Sequence, residues 1–275
     1  MKKANKYQVK NYQRLFQVQG LRFLIDDIWM GHYNQLDTVV IIKNDTFTSY
    51  LPKEIVQKTL QEGLQMLSDN KMYSSYKLLF ESYMKKVKTD CENFLSNEDF
   101  TQDETKVFLS SFTQLFPYYT KTEFFYTDLA FKYASETNDK NLNKNLNEQA
   151  ELKNKGREFL NILFFGEKGF LHQLFLKLER KFGVSFEDSS YYGINEILNL
   201  FSNQKVSSSI INSRKQATVM IGQEKRTIVF IGDEAEKFIT TFLEEEEKNK
   251  KELTGLCANS GRVQGKVKII AAGYD

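Results

Sequence analysis

The sequence has little proline, histidine and cysteine, and each shortage limits what the protein can be. The 275 residues include only 2 Pro, which leaves room for long uninterrupted helices. With 2 His, histidine-based catalysis within the chain has few candidates. The 2 Cys, Cys91 and Cys257, lack Cys-x-x-Cys spacing. We interpret both as ordinary small residues and expect no disulfide.

Neither one sign of charge nor a long apolar run dominates the chain. Lys+Arg minus Asp+Glu is 38 − 36 = +2, which gives no overall attraction to nucleic acid or to an anionic membrane. The longest apolar runs, such as residues 162–165, are too short to cross a bilayer. Residues 1–10 are polar and basic, unlike a secretory signal. We therefore expect a cytoplasmic protein without nucleic-acid or membrane partners.

Aromatic residues are abundant, with 23 Phe and 14 Tyr in a chain that is 41% hydrophobic. Many apolar residues recur at spacings of three and four, which predicts a mainly α-helical fold with an aromatic-rich core. Residues 138–155, rich in Asn, Lys and Glu, are either a solvated linker or a polar, exposed helix. Other helices are predicted at residues 12–29 with Gly20 inside, from Pro52 in the first turn to a stop at Asp69-Asn70, and at 73–94. Further ones are 103–116 ended by Pro117, a segment capped by Thr120, 170–182, 196–201, a segment from about 207, and a segment from 233.

Two stretches change to an alternating pattern and predict small β-hairpins. The first lies near residues 38–51 and the second near 217–231. Both belong to a predicted helical domain of residues 1–252. Residues 253–275 differ, because β-forming residues there alternate with Gly255, Gly261 and Gly265. We interpret these glycines as turn residues in the beginning of a second, β-rich module.

Three local patterns suggest binding sites. Residues 261–266 resemble a phosphate-binding loop but lack its spacing and its Ser or Thr after Lys266. His32 follows two aspartates, yet a metal site needs three or four ligands, so a surface group is favoured. Arg214-Lys215 and Lys225-Arg226 flank the second hairpin, and converging they would bind a phosphate or carboxylate. The favoured alternative is that these residues are simply exposed charges. If an anion does bind here, Arg214 and Lys215 are the candidate contacts.

Residues 253–270 and a segment before the second hairpin each carry a pattern that points to the same resemblance. Residues 253–270 resemble the opening of the swivelling phosphohistidine domain of phosphoenolpyruvate-utilising enzymes, such as phosphoenolpyruvate synthase, pyruvate phosphate dikinase and rifampin phosphotransferase. Residues 192–198 are similar to an upstream segment of that family, and the resemblance covers about residues 159–275. The tail departs from the family at Asn259 and Ser260, where Ser and Pro are common. It matches at Gly255, Ala258, Gly261, Val263, Gly265 and Val267.

The resemblance implies a central helical region of a phosphotransferase, which supplies scaffold for the acceptor site and a hinge near Gly255. In the family an ATP-grasp part phosphorylates a histidine that carries phosphate between sites. These parts would precede Met1 and follow Asp275, in the same or a separate chain, and with them ATP, Mg²⁺ and a small-molecule phosphate acceptor are expected. We assign no catalytic, cofactor or metal residue here, and predict that this chain alone is inactive. The alternative is a free-standing helical interaction protein.

Overall fold

The computed structural model describes residues 7–20, 23–125, 128–164 and 168–248, and this part of the chain is mainly α-helical, as the sequence predicts. The helices are α1 Phe23–Tyr33, α2 Lys53–Ser68, α3 Asn70–Ser96, α4 Gln102–Phe125, α5 Asp128–Thr137, α6 Lys140–Phe164, α7 Phe170–Phe182, α8 Phe186–Ser189, α9 Ile194–Asn199, α10 Ser208–Gln216 and α11 Asp233–Lys248. The strands are β1 Tyr12–Gln19, β2 Val39–Lys43, β3 Thr46–Pro52, β4 Ala217–Gln223 and β5 Arg226–Ile231. None of these helices is long and apolar enough to cross a bilayer.

The five strands form one antiparallel sheet in the order β1-β3-β2-β4-β5. Both predicted hairpins are present, as β2–β3 and β4–β5. Each turns through two residues of positive φ, Asn44 (51°) with Asp45 (56°) and Glu224 (51°) with Lys225 (64°), as tight hairpin turns require. Pairing of β2 with β4 then joins the two hairpins, which lie far apart in sequence.

The predicted helix over residues 12–29 is wrong in its first half. Residues Tyr12–Gln19 form β1, Gly20 has a φ of 78°, and α1 begins at Phe23. The cause is a β-bulge, because Leu15 has no partner between Arg14 and Phe16 in the register with β3. An extra residue shifts the alternation of a strand. The apolar spacing of this strand therefore imitates that of a helix.

The predicted helix end at Pro117 is also wrong. Helix α4 continues through Pro117 to Phe125, so Thr120 lies inside it and does not cap a new helix. Proline in a helix interior costs about 3 kcal/mol, because a backbone hydrogen bond is lost. The buried side chains of Phe112, Leu115 and Phe116 precede the proline directly. Burial of each stabilises by about 1.5–3 kcal/mol, which is enough to keep the helix continuous.

The sheet carries a hydrophobic core on each face. The residues of β2 alternate between the two cores, so Val40 and Ile42 face the large helical cluster while Val39 and Ile41 face α11. On the α11 side, the ring of Phe242 lies 5.5 Å from Tyr12 and 5.2 Å from Tyr50. The sheet is thus a central layer between α11 and the helical body.

The polar stretch at residues 138–155 is helical from Lys140 onward and there belongs to α6. Its prediction as an exposed helix is wrong in part, because Leu142, Asn145 and Leu146 are buried. The amide nitrogen Nδ2 of Asn145 donates to the carbonyl oxygen of Leu67 (2.8 Å) and to Oδ1 of Asn70 (3.0 Å). Through these two hydrogen bonds, Asn145 links α6 to the junction between α2 and α3.

Candidate functional site

The candidate anion contact Arg214 lies near the end of α10 and is buried, with 9% of its surface exposed. Its two terminal nitrogens make a bidentate ion pair with Glu196 of α9, at 2.6 Å (Nη1 to Oε2) and 2.7 Å (Nη2 to Oε1). Nη1 also donates to the carbonyl oxygen of Tyr191 at 2.6 Å. This planar fork geometry is the arrangement in which arginine holds a carboxylate most firmly.

Helix α1 completes the surroundings of Arg214. The guanidinium carbon lies 3.9 Å from the ring centre of Phe23, a cation–π contact. The carboxylate of Asp27 accepts a hydrogen bond from the backbone N–H of Ile194 at 2.7 Å. Oε2 of Glu196 accepts another from the backbone N–H of Gly193 at 2.8 Å. We call Phe23, Asp27, Glu196 and Arg214 the Arg214 cluster.

Gly193 stands in a tight space at the beginning of α9. A Cβ atom added to it would lie 3.0 Å from Oδ2 of Asp27 and 3.4 Å from a ring carbon of Phe23. The missing side chain lets α1 approach the first turn of α9. This close approach allows both carboxylates to accept backbone N–H groups of the same helix terminus, where negative charge is favoured.

The two carboxylates of the Arg214 cluster have opposite pKa shifts. Burial raises the pKa of Asp27, and the charge of Glu196 raises it further, against the N–H of Ile194 and the charge of Arg214. Burial would also raise the pKa of Glu196. The hydrogen bonds from Arg214 and from Gly193 outweigh burial and lower the pKa of Glu196 below its ordinary value. Glu196 is therefore the ionised partner of Arg214.

Lys215, the second candidate, points to a different set of acids. Its Nζ lies 3.0 Å from Glu187 Oε1 and 3.0 Å from Asp188 Oδ1, and 5.5 Å from the ring centre of Tyr191. Burial alone would lower the pKa of Lys215, but the hydrogen bonds to Asp188 and Glu187 outweigh it and raise the pKa. Lys215 thus fastens α10 to the short helix α8.

No family model, no curated protein and no solved structure matches this chain.

The two basic pairs that flank the second hairpin do not converge. Arg214-Lys215 precedes the beginning of β4, whereas Lys225-Arg226 lies at the turn beyond its other end. Seven residues of β4 span about 20 Å. A phosphate cannot bridge both pairs. The alternative of exposed charge holds for Lys225 and Arg226 but is wrong for Arg214, which is buried.

Each of the two histidines packs against an aromatic ring. His32 packs edge-on against Tyr33 (4.8 Å between ring centres), and burial, with the charge of Lys121, lowers its pKa to about 4. His172 packs against Phe186 at 4.6 Å. In the described ranges, no group of three or more His, Cys, Asp or Glu residues is placed to hold a metal ion.

Cys91 is buried on α3, and burial raises the pKa of its thiol, which disfavours the reactive thiolate. The remaining sequence candidates, Gly255, Gly261 and Gly265, lie outside the described residues, as does Cys257.

The partners of Arg214 could not be assigned from the sequence. The one signal was the acid at position 196, three residues after Gly193 at the beginning of a helix, the spacing at which a glutamate side chain can return to the helix terminus.

The Arg214 cluster joins α1, α9 and α10 through an ion pair, a cation–π contact and backbone hydrogen bonds. Both terminal nitrogens of Arg214 are engaged by protein oxygens. An incoming phosphate or carboxylate must therefore compete with Glu196 for the guanidinium. That Arg214 and Lys215 contact an anion remains a prediction, and such binding would have to separate α9 from α10.

Proposed function

We propose that this chain is the central region of a phosphotransferase of the phosphoenolpyruvate-utilising type. In this role it supplies scaffold for the acceptor-substrate site and the hinge to a swivelling phosphohistidine domain. One observation carries the proposal: the elements of residues 192–248 follow in the family's order, directly before the glycine pattern that begins at Gly255. The order is the segment of residues 192–198, a helix with a basic pair, a hairpin, a glycine and an acidic helix.

Contacts between these elements support the proposal. Glu196 belongs to the family-like segment of residues 192–198, and Arg214 to the helix with the basic pair, and the two form the bidentate ion pair. Gly232, with a φ of 58°, ends the hairpin, and its N–H donates to Ser213 and Ala217. Residues that carry the resemblance therefore hold one another in place as a unit.

In this proposal, the chemical steps and the scaffold belong to different parts of the enzyme. Phosphoryl transfer would pass through a histidine on the swivelling domain, and ATP and Mg²⁺ would bind an ATP-grasp part, both supplied from outside these 275 residues. Helix α11 ends at Lys248, and in the sequence the glycines of residues 255–265 come after it. The sheet and α11 would then form the fixed side of the hinge, and the helical body would support a small-molecule phosphate acceptor.

A second function, a helical interaction protein without catalysis, is favoured by a different observation. Helix α3 exposes apolar side chains, with Leu78 68%, Leu79 49% and Met72 49% exposed. Apolar groups in a neighbouring set on a surface often mark a contact with another protein. This function requires no phosphohistidine and no nucleotide.

The reading frame downstream of the codon for Asp275 distinguishes the two functions. The phosphotransferase predicts a segment of the type Thr-x-Gly-Gly-x-x-x-His encoded in the same frame or by an adjacent gene. The histidine has to be present, since it carries the phosphate. Absence of such a segment from both places would favour the interaction protein.

A further inference from the structure

Strand β5 lies at the end of the described sheet. It pairs with β4 on one side, and no described strand pairs with its other side. The N–H of Gly232 donates to the directly opposite carbonyl of Ala217 at 2.9 Å. Because hydrogen-bonded pairs alternate in an antiparallel ladder, the N–H and C=O groups of Thr227, Val229 and Ile231 point away from β4. We call this row of backbone groups the β5 edge.

The side chains of β5 do not protect this edge. Ile228 and Val229 lie on opposite faces of the strand and are 38% and 42% exposed. The single charged residue of the strand is Arg226, at its beginning. Edge strands usually carry lysine, proline or a bulge that discourages pairing. The opposite edge, β1, has such a bulge between Arg14 and Phe16.

Helix α11 covers a face of the sheet and leaves the β5 edge accessible. It begins after Gly232, and Glu236 in its first turn is 2.5 Å from Lys43 of β2. Farther along, the ring of Phe242 packs against Tyr50 of β3 at 5.2 Å. The helix thus runs from β5 toward the opposite side of the sheet.

We propose that a second copy of this chain pairs with the β5 edge, antiparallel and around a two-fold axis, so that two sheets become one. Only residues with outward backbone groups can form hydrogen-bonded pairs across the axis. An axis at Val229, the middle of the three outward residues, pairs all of them: Val229 lies opposite Val229 of the second copy, and Thr227 opposite Ile231. Ile228 then packs beside Phe230 of the second copy, and the exposed apolar side chains become buried.

Charge complementarity favours a second copy over an unrelated strand. The turn end of the strand carries two basic residues, Lys225 and Arg226, beside one acid, Glu224, while the acidic residues Asp233 and Glu234 follow its other end, and all five are exposed. Antiparallel two-fold pairing brings the basic end of each strand to the acidic end of the other. The same complementary contact therefore occurs twice.

The size of the contact sets the strength to expect. Two strands of six residues bury less surface than a standard interface of about 1,600 Å². The dimer should therefore be reversible and should dissociate on dilution. Sedimentation velocity of the full chain over a wide concentration range is expected to show the average mass rise from monomer toward dimer.

A matched pair of variants tests the surface. Val229→Lys should weaken association about tenfold or more, because two lysines would then face each other across the axis. Val107→Lys, which places the same charge at an exposed apolar position on α4, should leave association unchanged. Thermal melting of both variants checks folding. A wild-type chain that stays monomeric at all concentrations, or a Val229→Lys variant that still dimerises, would overturn the proposal.

Cross-linking tests the register. Opposed residues of a hydrogen-bonded antiparallel pair have Cα atoms about 5.5 Å apart, a distance that a disulfide spans. With Cys257→Ser present, Val229→Cys should cross-link two chains under a mild oxidant, and Ile228→Cys should do so much less. In a chain that keeps Cys257, a disulfide within one chain between Cys257 and the thiol introduced at position 229 would show that the C-terminal residues occupy the β5 edge, against the proposal.

Discussion

Glu196 and Arg214 meet through two parallel hydrogen bonds of 2.6 and 2.7 Å, and this pair joins α9 to α10 beneath the ring of Phe23. A bidentate contact of this kind depends on the shape of the guanidinium as well as on its charge. Replacing Arg214 by lysine keeps the positive charge but removes the planar guanidinium, so this substitution separates the two contributions.

Arg214→Lys should destabilise the protein by about 1–3 kcal/mol, because one ammonium cannot replace both hydrogen bonds and the contact with Phe23. The matched control is Arg226→Lys, at an exposed position, which should change the free energy of unfolding by less than about 0.5 kcal/mol. Urea unfolding measures both. Equal stability of the two variants would contradict a structural role for the Arg214 cluster.

Glu196→Gln should lose stability in a pH-dependent way. The pKa of Glu196 is lowered in the folded state, so the ionised carboxylate stabilises the fold above its unfolded pKa of about 4.3. That contribution disappears as pH falls through the lower, folded pKa. The wild type should therefore be more stable than the variant at pH 7, and the difference should shrink in acid. A difference that does not change with pH would refute the ion pair.

Asp27→Asn should show the opposite sign. The pKa of Asp27 is raised in the folded state, so its contribution is fully present below the unfolded pKa of about 3.9 and is lost as pH rises through the folded pKa. Asparagine cannot ionise and still offers an oxygen to the N–H of Ile194. Relative to the wild type, the variant should gain stability with rising pH. Urea unfolding of both proteins across pH measures this trend, and a stability difference that does not change with pH would contradict it.

Pro117→Ala should raise the free energy of unfolding, by up to about 3 kcal/mol, since alanine restores a backbone donor in the interior of α4. Gln114→Ala, at an exposed position of the same helix, provides the control for helix propensity. Thermal and urea unfolding measure the change. A less stable Pro117→Ala variant would show that the proline ring, and not the surrounding burial alone, supports this helix.

The sequence predicted the elements whose signals are local. The stripe of Phe170, Leu174 and Leu178 before Gly183 predicted α7 and its end, and Gly183 has the expected positive φ of 61°. Asn44-Asp45 likewise marked a hairpin turn. The sequence did not reveal β1, because Leu15 in the bulge hides the alternation. It predicted the first part of α4 but not its continuation past Pro117, because the burial that stabilises the helix there is not a local signal.

Long-range relationships were not available from local patterns. Pairing of Val39 with Ile221 joins the two hairpins, and no pattern within either hairpin specifies it. The same holds for the Arg214 cluster, whose members come from α1, α9 and α10. The basic pair was visible in the sequence as a candidate, but its partner Glu196 was apparent only as a residue near a helix beginning.

The location of protein-bound phosphate tests the central claim most directly. The complete reading frame that contains these residues, with any adjacent gene for the missing parts, should be expressed and incubated with labelled phosphoenolpyruvate or with labelled ATP and Mg²⁺. Residues 1–275 alone serve as the control. The account predicts acid-labile phosphate on a histidine outside residues 1–275 and none on the control chain. Labelling of His32 or His172, or no phosphohistidine in the complete system, would contradict it.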